Sequence, residues 1–214
     1  MSYWCQYPDL TFQEEGHRYL WKGVPRRSVS GVLSSVGTLN EKTGFFDPVG
    51  YGHFAKQYEN AAEFGTAFHK IASAIVQGKN VKYPVEMESW VIQLRAYLKA
   101  YPLVPINDVN GVSIIEYPMY SVRHGYCGTP DLVACNAKRE VCVIDWKTSA
   151  AHEKHYDYQT AAYAQLVEEV HKLRVKRRIT LRVTDTKYDP LDRTGHSEDL
   201  IMFNSLNNVL KMAA

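Results

Sequence analysis

Net charge, cysteine and long apolar runs are all scarce in this sequence. Its 25 Lys and Arg against 23 Asp and Glu leave a formal charge of only +2. The molecule as a whole is therefore no polycation, and any attraction to nucleic acid must come from local basic surface. The four cysteines, Cys5, Cys127, Cys135 and Cys142, form neither a CxxC pair nor an evenly spaced framework. That argues against a zinc ribbon or a disulfide scaffold and fits a reducing cytosol. No stretch approaches the roughly 18 uninterrupted apolar residues that a membrane span needs. The opening MSYWCQYPDL also lacks the charged start and apolar run of a signal peptide. A soluble, cytoplasmic protein with no membrane partner is the expectation.

What is present suffices for one substantial core: 214 residues, 45% of them hydrophobic, within the range of a single domain. One domain is expected over 1–214, with an extension at about 10–60, a core at about 61–185 and a C-terminal helix at about 197–212. HRYLWKGVPRRSV reads as a hairpin turning near Lys22-Gly23, and SVSGVLSSV as a short apolar helix. From Asn40 to Asn60, glycine and proline punctuate the aromatics Phe45, Phe46, Tyr51 and Phe54, an irregular pattern that reads as a mobile loop or arch. Gly65, Phe68, His69, Ala72, Ile75 and Val76 recur at helical spacing before Gly78 and predict a helix over about 59–76. Met87, Trp90, Val91, Leu94 and Leu98 predict another over about 86–100, ended by Pro102 and Pro105. The period then changes to two, and GVSIIEYPMYSV, GYCGTPDLVAC and REVCVIDWKTS read as three consecutive strands. A helix at 156–173, a strand at 178–185 and a last helix capped near Ser197 complete an α/β pattern.

In VCVIDWKTS the alternation puts Val141, Val143, Asp145 and Lys147 on one face of a strand and Cys142, Ile144 and Trp146 on the other. A hairpin centred on Lys138 sets residue 131 opposite residue 145, so that Asp131 and Asp145 meet across two strands. Two carboxylates so placed repel unless a cation neutralises them. A hard divalent ion such as Mg²⁺ or Mn²⁺ does so, and also polarises phosphate oxygens. On spacing alone a plainer reading stands beside this one, with Asp145 and Lys147 as a surface ion pair and Asp131 as a turn residue.

The order GTPDL, a polar turn, VIDWKTS, then HYDYQTAAY, with FGTAFH upstream, resembles the PD…(D/E)xK nuclease superfamily. The likeness is to its RecB-like members, and among them to the group of the mitochondrial genome maintenance exonuclease and its phage and bacterial relatives. It runs over about 17–183, is strongest at 126–163, and includes an opening, GHRYLWKGVPRRSVSGVL, similar to that group's. The resemblance implies a restriction-endonuclease-like core, a central mixed β-sheet flanked by α-helices, and metal-dependent hydrolysis of DNA with Mg²⁺ or Mn²⁺. Asp131 and Asp145 would bind the metal with the main-chain carbonyl of Trp146, and His69, four residues after Gly65, would be the histidine ligand. Lys147 would hold or deprotonate the attacking water, or stabilise charge on the phosphate. Gln159 and Tyr163, matching a QxxxY motif, would contact the phosphate backbone or orient Lys147. Glu116, expected mid-strand, either stands beside the metal, holds a second ion or faces solvent. Thr148 and Ser149 are either phosphate donors or turn formers. Arg26, Arg27 and the run HKLRVKRR at 171–178 are either a phosphate track or a solvated face and a complement to a helix dipole.

Some relatives carry an iron–sulfur cluster on cysteines near the C-terminus. None follows Cys142 here, so no iron–sulfur cluster is expected. The expected activity is exonucleolytic, on single-stranded DNA or duplex ends, in a cytoplasm that includes that of a phage-infected bacterial host. Two alternatives stay open: a restriction-type or structure-selective endonuclease, and a catalytically silent fold that only binds DNA. No protein partner is implied.

Overall fold

A computed structural model of the protein describes residues 2–4, 8–35, 38–39, 46–47 and 55–213, with side chains over 8–35 and 61–213. Strands β1 (Ser2–Trp4), β2 (Leu10–Gln13), β3 (Arg18–Trp21) and β4 (Val24–Arg26) form an antiparallel meander. Helix α1 (Val29–Ser34) follows, its first turn capped by Ser28. The short strands β5 (Thr38–Leu39) and β6 (Phe46–Asp47) pair with each other. Then come α2 (Ala55–Val76), a 3₁₀ turn at Val85–Met87, α3 (Glu88–Ala100) and β7 (Leu103–Pro105). A hairpin of β8 (Met119–Ser121) and β9 (Tyr126–Gly128) leads to β10 (Leu132–Asn136) and β11 (Val141–Lys147). The chain closes with α4 (Lys154–His171), β12 (Val175–Val183), β13 (Tyr188–Asp192) and α5 (Ser197–Met212).

The centre is α/β: a five-stranded mixed sheet in the order β13-β12-β11-β10-β7, with helices on both faces. β11 and β12 run parallel, joined through α4, because a parallel pair needs a long crossover. Covered on both faces, β11 is buried from Cys142 through Trp146, and alternation sorts its side chains. Val143 packs with Leu166 of α4, Val29 and Val32 of α1, and Phe203 of α5. Ile144 and Trp146 pack with Phe68 of α2 and Leu94 and Tyr97 of α3. The indole N–H of the fully buried Trp146 has no hydrogen-bond partner among the described residues. An orphaned donor costs about 1–3 kcal/mol, less than the about 3–5 kcal/mol of truncating a buried tryptophan, so packing wins at this position. The N-terminal meander rides on the β8–β9 hairpin, where Leu10, Phe12 and Tyr19 meet Tyr120 and Cys127.

Backbone chemistry explains most departures from the expected pattern. Of the three strands expected over 111–149, the first breaks up: Glu116 is not mid-strand but left-handed, at φ +49°, a conformation that interrupts a ladder. Pro118, two residues on, has no N–H to give. The second breaks at Thr129-Pro130-Asp131, between β9 and β10. The sheet edge is instead β7, where Pro102 and Pro105 signal only a helix stop in the sequence; an edge strand tolerates proline. β13 is a second edge strand with mostly exposed residues and Pro190, so no alternation announces it. Helix α2 starts earlier than expected, at Ala55, and Ser197 is the first residue of α5 with no side chain capping that end. The loop or arch expected at 40–60 lies outside the described residues except for Phe46–Asp47 and the start of α2, and Cys5 lies outside them as well. No helix among the described residues is long and apolar enough to cross a membrane.

Much of the basic run at 171–178 is structural. Asp199, fully buried in α5, pairs with Arg178 at 3.0 Å and Arg193 at 2.9 Å, and Arg178 also donates to the carbonyls of Arg193 and His196. Arg177 pairs with Asp192. Val175 lies beside Val141, and Arg182 beside Lys147, so the run sits at the far end of the sheet from Lys147. Even Arg178, paired with Val143, is four strand residues from the level of Lys147, roughly 13 Å, too far to touch a phosphate held at Lys147. Burial opposes the charge on Asp199, but the Arg193 and Arg178 hydrogen bonds outweigh it and lower its pKa from 3.8. Asp199→Ala should cost about 3 kcal/mol in urea unfolding at pH 7, because two part-buried guanidinium groups lose the buried carboxylate they share. The stability Asp199 contributes is full above its unfolded pKa and is lost as pH falls through the depressed folded value. The gap between wild type and variant should therefore narrow below about pH 4.

Candidate functional site

Side chains from four segments meet where β11 ends and β10 begins. The pairing of Leu132 with Ile144 is the register expected for a hairpin centred on Lys138, and it brings Asp131 to the end of β11. There Asp131 Oδ2 accepts the Trp146 backbone N–H at 2.6 Å, while its Oδ1 lies 3.0 Å from His69 Nδ1 on α2. The backbone N–H of Glu116 donates to the Asp131 carbonyl at 3.1 Å. This bond holds the left-handed residue so that its Oε1 lies 3.7 Å from His69 Nδ1 and accepts from Ser73 Oγ at 3.4 Å. One ligand atom from each of His69, Glu116 and Asp131 falls within 4.8 Å of the others. Beside this group, Asp145 is 1% exposed and its Oδ2 lies 2.5 Å from Lys147 Nζ.

Burial is the largest single influence on each of these groups, but it sets the direction only for Asp145. It pushes the Asp145 carboxyl up to about 6, with Lys147 pulling it down and Asp131 adding to the rise. For Lys147 burial opposes the charge, but the Asp145 and Asp131 carboxylates outweigh it and raise its pKa, so the side chain is an ammonium at neutral pH. For His69, too, burial works against the charged form, and the charge and hydrogen bond of Asp131 overcome it to raise its pKa to about 10. Imidazolium and ammonium thus act as internal counter-ions. The donor chemistry of His69, Glu116 and Asp131, one imidazole nitrogen and two carboxylates, suits a hard divalent ion, which could enter past Glu116, the most exposed of the three. Binding one requires His69 to give up its proton.

Asp145 stands outside the three-residue group, facing Lys147. Trp146 contributes its N–H to Asp131, and its ring lies on the other face of the sheet. Gln159 Nε2 donates to the Tyr163 hydroxyl at 3.0 Å. Tyr163 is buried, and its hydroxyl pKa is raised first by burial and next by the charge of Asp145. Thr148 Oγ1 would sit 3.6 Å from a Cβ at Gly65, so α2 passes the end of β11 closely there. Ser149 is a turn former: its hydroxyl donates to Ala151 O at 2.9 Å and accepts from Tyr156 at 3.2 Å. Arg26 and Arg27 are exposed at the edge of the N-terminal sheet, with the Arg26 guanidinium 5.9 Å from the Tyr120 ring, and are not among the groups brought together here. Two neighbours escaped the sequence reading. Ser73 follows His69 by one helical turn, a spacing that was there to be read. The Tyr156 ring lies 5.0 Å from Lys147 Nζ, a contact that no spacing encodes.

No family model matches the chain, and no curated protein matches it. Among solved structures, that of the protein SSO0001 aligns with 75% of this chain and 68% of its own at 14% identity, with a TM-score of 0.36, a likeness too loose to indicate function. The geometry itself generates a test. Because Asp145 has a raised folded pKa, ionising it costs stability as pH rises from its unfolded value to about 6. The stability of Asp145→Asn relative to metal-free wild type should therefore climb across that interval and level off above it. The climb should be about 3 kcal/mol, read from urea midpoints at a series of pH values.

Proposed function

We propose that the chain is a divalent-metal-dependent deoxyribonuclease that hydrolyses phosphodiester bonds, working as an exonuclease on single-stranded DNA or duplex ends. The observation that carries this reading is the convergence of His69, Glu116 and Asp131 beside the buried Asp145–Lys147 pair, at the adjoining ends of two neighbouring strands. The preference for DNA and its ends rests on the resemblance to RecB-like nucleases, and a cytoplasmic setting on the unpatterned cysteines and the opening residues. His69, Glu116 and Asp131 would hold the ion, and Asp145 adds negative charge beside it. A bound Mg²⁺ or Mn²⁺ would polarise a phosphate oxygen and lower the pKa of a water it holds. Lys147 donates to the phosphate and stabilises the charge that grows there in the transition state. Tyr163 and Gln159 support the helix wall, and the low exposure of Asp145 strengthens each of these interactions by excluding water.

End-labelled linear and covalently closed single-stranded DNA, incubated with Mg²⁺, Mn²⁺ or EDTA, tests the reading. The wild type should degrade the linear strand with metal only and leave the circle intact, and Asp145→Ala or Lys147→Met should lose about 10³-fold or more in rate. Cleavage of the circle would mean an endonuclease. No cleavage with any metal, or equal cleavage by the variants, would overturn the assignment. Calorimetric titration with Mn²⁺ adds a pH signature. Because the His69 pKa is raised to about 10, binding below that pH should release a proton and tighten as pH rises, and His69→Ala should abolish the release.

A further inference from the structure

The segment Gly128–Asp131 carries Asp131 into the site, yet it belongs to no strand beyond Gly128, the last residue of β9. Pro130 offers no backbone donor, so contacts from elsewhere must fix its path. Three come from the N-terminal part of the chain. The Cys127 N–H donates to Arg27 O at 2.8 Å. A Cβ at Gly128 would stand 3.0 Å from Val29 Cγ2, and also 2.7 Å from Leu166 Cδ1 and 2.9 Å from Tyr163 Cε1, so the backbone there is wedged between α1 and α4. The third is a hydrogen bond between the hydroxyls of Tyr19 and Thr129 at 2.6 Å, spanning 110 residues of sequence.

That hydroxyl is placed with care. Tyr19 is 2% exposed, and its ring packs at 4.8 Å from Phe12, so packing alone would be satisfied by phenylalanine. A buried hydroxyl without a partner is costly, and this one has two, Thr129 Oγ1 and His17 Nε2 at 3.2 Å. His17 is itself left-handed at φ +48°, with its ring edge-on to Phe12 and Tyr19. Such a conformation persists only where its surroundings enforce it. We propose that Tyr19 is a positioning residue for Asp131, acting through Thr129, so that the N-terminal sheet helps shape the site. The metal-binding part of this proposal rests on the function proposed above.

The Trp146 amide reports directly on Asp131, whose carboxylate accepts its hydrogen at 2.6 Å. In metal-free ¹⁵N-labelled protein, Tyr19→Phe should speed exchange of that amide about tenfold, the scale of one lost hydrogen bond. Core amides of α3 such as Leu94 should be unchanged. Thr129→Val should do the same, the double variant should add little, and Thr129→Ser, which keeps the hydroxyl, should resemble wild type. In a Mn²⁺ titration, Tyr19→Phe and Thr129→Val should bind severalfold more weakly. Unchanged Trp146 exchange, or an equal acceleration of all amides, would overturn the positioning role. A wild type that binds no Mn²⁺ would overturn the metal reading, while the Trp146 amide still decides whether Tyr19 positions Asp131. Should Tyr19→Phe fail to fold, Thr129→Val breaks the same bond from its other end and carries the test.

Discussion

A carboxylate on a strand covered on both faces can keep its charge only with a cation at hand, and the candidate site is arranged around that constraint. Asp145 occupies such a place on β11. Side chains alternate along a strand, so position 147 is the next one C-terminal to share its face, and Lys147 there supplies the counter-charge. The Asp-x-Lys spacing is thus the shortest that lets a strand neutralise its own buried acid toward its exposed end. Asp131 adds a second carboxylate through the register of the hairpin, and His69 from α2 answers it in turn. Each charge in the cluster is tolerable because of its neighbour, so the whole cluster responds when one member changes.

The parts legible in the sequence are those set by local periodicity and one tight turn. The faces of β11 and its register with β10 needed only alternation and the position of the polar turn, which Asn136 closes by accepting from the N–H groups of Lys138 and Glu140. Helices α3 and α4 announced themselves by their apolar stripes. What stayed hidden depends on backbone angles or on partners far along the chain. Nothing in IIEYP says that Glu116 turns left-handed and swings toward His69. Arg178 looked like one cation among several in a basic run until the distant Asp199 claimed it. The bond from Tyr19 to Thr129 joins two residues whose motifs lie 110 positions apart, and no local pattern pairs them.

The two ends of the central sheet do different work. Where β11 ends, the polar groups are close-set, strained at Glu116 and partly open. At the other end Arg177 and Arg178 are tied to Asp192 and Asp199, which pins β12 to β13 and α5. Arg182, next to Lys147 in the parallel pair, is committed to Ala150 O and Asp189. Lys147 is consequently the cation that faces Asp145, and the surrounding arginines serve the scaffold.

The bond between Tyr19 and Thr129 also bears on how the molecule comes into being. A ribosome adding about 5–20 residues per second reaches Thr129 roughly 5–20 s after Tyr19. Through that interval β2 and β3 have neither the hairpin they pack on nor the threonine they bind. Pairings so distant in sequence form slowly. The nascent N-terminal sheet therefore waits with Leu10, Phe12 and Tyr19 uncovered, and the emerging β8–β9 hairpin sets the moment at which it can dock.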